Sequence, residues 1–237
     1  IVFGQGALRS HPYLLREVGA VNNPDVEEGL LEFDDALFSH IGFIACNTFR
    51  SLWLGLTGAR LVTAPSKGVA MHYYQQLTRM SSAFALLSDA CLLILAGSLK
   101  RREKLSGRLA DALSNMYLLT AVLKNYDDEG HKPEDLPLLK WACEDCLYNV
   151  QESLKGVLRN FPIPVIGWLL NFIIFPLTKP YGGADDKLGH QVARLLLKPS
   201  DARDRLTRDI HLSTDANDAM GRLEHALKLV LAADEPE

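Results

Sequence analysis

The feature that most constrains this chain is a helical apolar period sustained over four long stretches, with no alternating β pattern of useful length beside it. Leu105, Leu109, Ala112, Met116, Leu119 and Leu123 recur every three or four residues, which lays them along one stripe of a helix. Leu139, Cys143, Cys146, Val150, Leu154 and Val157 repeat the pattern, as do Tyr74, Leu77, Phe84, Leu87, Cys91 and Leu95. A fourth stripe runs through Ile41, Ile44, Thr48 and Leu52. The spacing predicts helices near 34–57, 69–97, 100–126 and 134–160, and therefore an all-α fold.

The punctuation agrees with that reading. Residues 58–68, with Pro65-Ser66, separate two helices, and Asp127-Asp128-Glu129-Gly130-His131-Lys132-Pro133 ends one helix on a glycine and starts the next at a proline. Short connections favour antiparallel neighbours, so 34–160 reads as a bundle of long antiparallel helices. Beyond Phe161, Pro162, Pro164, Pro176 and Pro180 bracket an apolar run, Ile163 to Phe175. A shorter helix over 185–197, a polar segment 201–208 and an amphipathic helix over 218–231 complete a packed extension, 161–237.

Charge and cysteine content narrow the function classes. A net charge of −4 argues against a dedicated nucleic-acid module, which carries a basic excess. The four cysteines, Cys46, Cys91, Cys143 and Cys146, lie in helical patterns rather than in a short loop-rich framework and read as free thiols. Cys143-Glu144-Asp145-Cys146 has the spacing of half a zinc site, yet a tetrahedral site needs two more ligands; core thiols are the simpler reading. The seven histidines form no His-Glu-x-x-His spacing, and no Gly-x-Ser-x-Gly elbow is present, so hydrolase readings fall away.

Other local signals carry a bland reading beside a functional one. Gly4-Gln5-Gly6 has Arg9 where a dinucleotide fingerprint needs its third glycine, and reads as a helix end. Asp34-Asp35 sits at a predicted helix start and Asp127-Asp128 in a predicted solvated turn. Lys100-Arg101-Arg102-Glu103-Lys104 with Arg108 is either a solvated helix face or a contact for a ligand phosphate, an anionic head group or an acidic partner. As a helix, the thirteen residues of Ile163 to Phe175 span ~20 Å, too little for a hydrocarbon core of about 30 Å. That leaves burial in the core, a subunit interface, or a dip into a membrane surface.

Several segments together carry a resemblance. Phe3-Gly4-Gln5-Gly6-Ala7-Leu8-Arg9 with His11-Pro12-Tyr13, Ser51-Leu52-Trp53-Leu54-Gly55-Leu56-Thr57, Gly97-Ser98-Leu99-Lys100-Arg101-Arg102-Glu103 leading to Arg108-Leu109, Leu123 to Gly130, Asn160-Phe161-Pro162 and Asp186-Lys187-Leu188 fall in one order. In that order the chain resembles the C-terminal domain of bacterial-type long-chain acyl-CoA dehydrogenases. The resemblance implies membership in a FAD-dependent flavoenzyme of fatty-acid β-oxidation, in which a glutamate removes the α proton of an acyl-CoA and flavin accepts hydride from the β carbon. That glutamate belongs to a Glu-Gly motif that has no match here, so no catalytic, cofactor-binding or metal-binding residue is expected in this chain.

The resemblance further implies that 1–33 is a linker from an upstream catalytic core and that 34–237 is the helical domain. It implies long-chain acyl-CoA bound through the core, association as a homodimer and a bacterial cytoplasmic location; the apolar run 163–175 adds peripheral contact with the inner membrane as one of the expectations for it. The rival reading is a stand-alone, non-catalytic helical module for protein or membrane interaction.

Overall fold

In the computed structural model, residues 11–176, 181–211, 213, 215 and 217–234 are described. Among them every regular element is a helix: α1 (Leu14–Val21), α2 (Val26–Thr57), α3 (Gly68–Leu95), α4 (Glu103–Asp128), α5 (Leu136–Arg159), α6 (Pro164–Ile174), α7 (Asp186–Leu197), α8 (Asp201–Thr207) and α9 (Ala219–Asp234). One 3-10 helix, Ala96–Arg101, joins α3 to α4, and another, Pro133–Asp135, leads into α5.

The α4–α5 hairpin is the most extensively packed pair, with α3 laid across both. The two sequence stripes on this hairpin are buried throughout, from Leu105 to Leu123 and from Leu139 to Val157. Facing them on α3 are Met80, Ala83, Leu87, Cys91 and Leu95. Helix α3 is long and apolar enough by length and composition to cross a membrane. Here it is the central core helix, and it also buries Gln75, Gln76, Arg79 and Asp89.

The first long helix departs from expectation. It starts at Val26 rather than near 34, because the Asp25 side chain caps it by accepting from the Glu27 and Glu28 N–H groups. Asp34 and Asp35 therefore lie within the helix, exposed, not at its start, and Asp35 pairs with Arg16 at 2.8 Å. The stretch 1–33, expected as a linker, thus holds α1 and the first turns of α2 over its described part. The buried line of α2 also differs: Gly29, Ala36, His40, Ser51, Leu54 and Gly55 face inward, while Ile41 is exposed and Ile44, Thr48 and Leu52 are half-buried. Apart from Leu54, small and polar side chains hold this seam, because the close approach of neighbouring elements and the partners of His40 decide it rather than apolar period.

At its C-terminal end α2 meets α6. A Cβ on Gly55 would stand 2.6 Å from Pro176 Cδ, and one on Gly167 would stand 2.8 Å from the Leu158 carbonyl oxygen and 2.9 Å from Phe161 Cβ. Both glycines are therefore the condition for close packing at this corner. Pro164 opens α6 at its first position, where a missing N–H costs nothing.

The extension returns to the bundle through Tyr181. Its backbone N–H donates to Gln151 Oε1 at 2.9 Å and its carbonyl accepts from Gln151 Nε2 at 3.2 Å, so one buried glutamine serves the strap as a neighbouring strand would. The Tyr181 hydroxyl donates to Gln76, and the Arg79 guanidinium lies 5.9 Å from its ring centre. Beyond it α7 packs on α5 and α8, and Arg203 forks onto both carboxylate oxygens of Glu224 at 2.8 and 3.0 Å, joining α8 to α9. The polar segment 201–208 is thus helical in its larger part, with Ser200 as its cap.

Candidate functional site

Two polar clusters and the apolar faces of α2 and α6 are the candidates for function. The first cluster ties α1 to α2 and α3. His40, 2% exposed, donates from Nδ1 to Glu17 Oε1 at 2.7 Å and from Nε2 to Asp89 Oδ1 at 3.0 Å. With a carboxylate at each ring nitrogen, both nitrogens must carry protons. Burial works against that charge, but the hydrogen bonds and charges of Asp89 and Glu17 outweigh it and raise the His40 pKa above its ordinary value.

His11 completes the cluster. Its Nδ1 accepts from the Tyr13 and Leu14 N–H groups at 3.2 and 3.1 Å, so its proton sits on Nε2, which donates to Asp89 Oδ1 at 3.0 Å. The His11, His40 and Asp89 ligand atoms lie within 4.8 Å of one another, a spacing that a metal could use. The donor chemistry opposes it: a neutral histidine that binds metal through Nε2 must donate from Nδ1, whereas Nδ1 of His11 accepts twice. The cluster is a charged tether for the N-terminal hairpin.

The second cluster gathers Ser66, Tyr74, Asp127 and His131 at one end of the bundle. Ser66 Oγ and His131 Nε2 both donate to Asp127 Oδ1, at 2.7 and 2.6 Å, and the Tyr74 hydroxyl donates to Oδ2 at 2.8 Å. Burial pushes the Asp127 pKa up, but these three hydrogen bonds prevail and hold it below the usual range, while burial together with Asp127 pushes Tyr74 up to about 12. Asp127 is thus a half-buried hub rather than part of a solvated turn; Asp128 beside it is exposed and pairs with Lys124.

Serine, histidine and aspartate meet here without the order that nucleophilic catalysis needs. A triad base takes the serine proton with one ring nitrogen and faces the acid with the other. Here Ser66 and Asp127 share Nε2, and the serine proton points at the aspartate. The cluster closes the α4–α5 connection against the loop before α3.

The remaining sequence candidates are placed as follows. Cys143 and Cys146 lie side by side in the bundle core with Cys91, and Cys46 is exposed; all four are free. Burial pushes the Cys91 thiol up to about 12 and raises Cys143 and Cys146 as well, so these are inert core thiols. Lys100, Arg101, Arg102 and Lys104 are exposed without an ion-pair partner among the described residues. Arg108 instead lies against α5, its Cδ 2.8 Å from where a Cβ on Gly156 would stand. Gly4-Gln5-Gly6 lies outside the described residues.

What stays uncovered is apolar. On α2, Leu30, Leu31, Phe38, Ile41, Phe49, Trp53 and Leu56 are exposed, and Phe49 stacks on Trp53 with ring centres 6.3 Å apart. On α6, Leu170 and Ile174 turn inward, while Val165, Trp168, Leu169 and Phe172 face out, with Trp168 71% exposed. The apolar run at 163–175 is therefore helical and half covered, as its composition suggests. Sequence reasoning missed the larger face on α2, because the apolar stripe expected to point inward points partly out.

The sequence model of the family described as acyl-CoA dehydrogenase, C-terminal, bacterial type, matches residues 8–237. No solved structure matches the chain.

Proposed function

We propose, because this chain belongs to the family of bacterial-type acyl-CoA dehydrogenase C-terminal domains, that it is the non-catalytic helical part of a FAD-dependent long-chain acyl-CoA dehydrogenase of fatty-acid β-oxidation. Its task is assembly. It braces the catalytic core, which binds FAD and long-chain acyl-CoA, it brings two subunits together as a homodimer, and it sets the enzyme against the inner face of the bacterial membrane through 163–175. The junction with the core falls within 1–33, and 34–237 is the helical domain.

The observation that carries this reading is the uncovered apolar face of α2. A helix whose inward line is glycine, alanine, serine, histidine and Leu54 while Phe38, Phe49, Trp53 and Leu56 stand in solvent is built to be covered from outside. Contiguous exposed apolar surface of this kind marks protein or membrane contact, and aromatic anchors dominate such interfaces. In both polar clusters the histidines and carboxylates are hydrogen-bonded to one another, with Asp89 Oδ2 buried and without a partner among the described residues.

The test uses the full-length enzyme with Phe38 and Trp53 replaced by Ser. The expected result is loss of self-association or of flavin retention, read by light scattering and by flavin absorbance, with helicity kept. Unchanged association and unchanged flavin content would contradict the assignment of this face.

A further inference from the structure

The C-terminal extension does not close on the bundle. Between α4 and α5 on one side and α7 and α8 on the other lies a cavity of about 450 Å³, walled by Val122, Leu138, Trp141, Val192, Leu196 and Leu206. That volume falls within the range of small-molecule sites. The outer wall is unusual: α7 carries Leu188, Val192, Leu195 and Leu196 along one side and buries none of its residues. An amphipathic helix ordinarily covers its apolar stripe against the core; here Val192 and Leu196 of that stripe line the cavity.

The polar rim selects among apolar ligands. Arg205 lines the cavity, and both of its ion-pair bonds leave through Nη2, to Asp135 at 2.6 Å and Glu134 at 3.4 Å. Its Nη1 donors have no acceptor among the described residues and are not shut off from solvent. Asp135 and Glu134 already answer this one guanidinium, and Glu129 on the wall is answered by Lys132 and Arg208, so a carboxylate head group taken into this apolar cavity finds no free counter-charge and bears the desolvation cost of a buried charge. A neutral oxygen meets no such penalty and still accepts from Nη1.

We infer that this cavity is a binding site for a neutral apolar chain that carries one hydrogen-bond acceptor, such as a long-chain alcohol or ester. The site stands apart from the α2 and α6 faces, and filling it locks α7 and α8 onto the hairpin.

The experiment uses the chain with Trp53 and Trp168 replaced by Phe, so that Trp141, on the cavity wall, is the sole tryptophan. It is titrated with 1-decanol and with decanoate while Trp141 fluorescence is followed. The expected result is a saturable change with decanol, and decanoate weaker by about ten-fold, equivalent to about 1.4 kcal/mol. Ala142→Phe and Val192→Phe, which fill the cavity from opposite walls, each abolish the decanol response with circular dichroism unchanged. No saturable response, a response insensitive to both filling variants, or decanoate binding as tightly as decanol would overturn the inference.

Discussion

At Gly167 and Gly55 the approach of backbone and ring atoms leaves no room for a methyl group, so Gly167→Ala should destabilise the chain by about 1–3 kcal/mol, the usual cost of overpacking. Urea denaturation checks this, with Gly107→Ala as the control, since nothing lies within 4 Å of its would-be Cβ. His40 makes a separate prediction. Its folded pKa is raised above the ordinary 6.5, so the tether it forms contributes stability that is fully present below pH 6.5 and is lost as pH rises through the folded value. The denaturation midpoint should fall across that window, and His40→Gln should flatten the fall. Neither site was legible in the sequence. His11, His40 and Asp89 are brought together from the segment before α1, from α2 and from α3, the last two 49 positions apart, and only short spacings such as His-x-x-x-His announce themselves in a linear reading. Gly55 and Gly167 lie inside helical patterns, where only the neighbour across the seam explains them.

At the scale of elements, the helices of the bundle were readable wherever the apolar period was the deciding force. The stripes of α4 and α5 are buried residue for residue, and the glycine at 130, with φ +81°, ends α4 where the pattern stops. The reading failed on α2, whose seam, apart from Leu54, is polar and small and whose other large side chains face out; no periodicity distinguishes an apolar face that meets the core from one that awaits a partner. Helix α6 shows both faces at once. Replacing Trp168 and Phe172 with Ser should reduce liposome binding or self-association while leaving helicity nearly intact, because neither side chain is in the core. Co-sedimentation with anionic liposomes and light scattering would read the change, and loss of the fold would show that both residues hold the bundle together.

For the whole molecule, the decisive feature is the apolar surface left uncovered. The buried carboxylates, histidines and thiols of the described residues are each engaged with one another or pushed toward their inert forms, and the surface left over is hydrophobic on α2 and α6. Exposed apolar surface of this kind is what the proposed assembly role requires. The resemblance was legible because six short segments keep one order along the chain, although each alone is weak; the face that would meet the core was not, because it depends on which side of α2 the fold turns inward. The most direct test of the central claim is dye-coupled reduction with palmitoyl-CoA, supplied with FAD, by the purified chain alone. The account predicts no turnover above the protein-free control, and measurable dehydrogenation by this chain would contradict it.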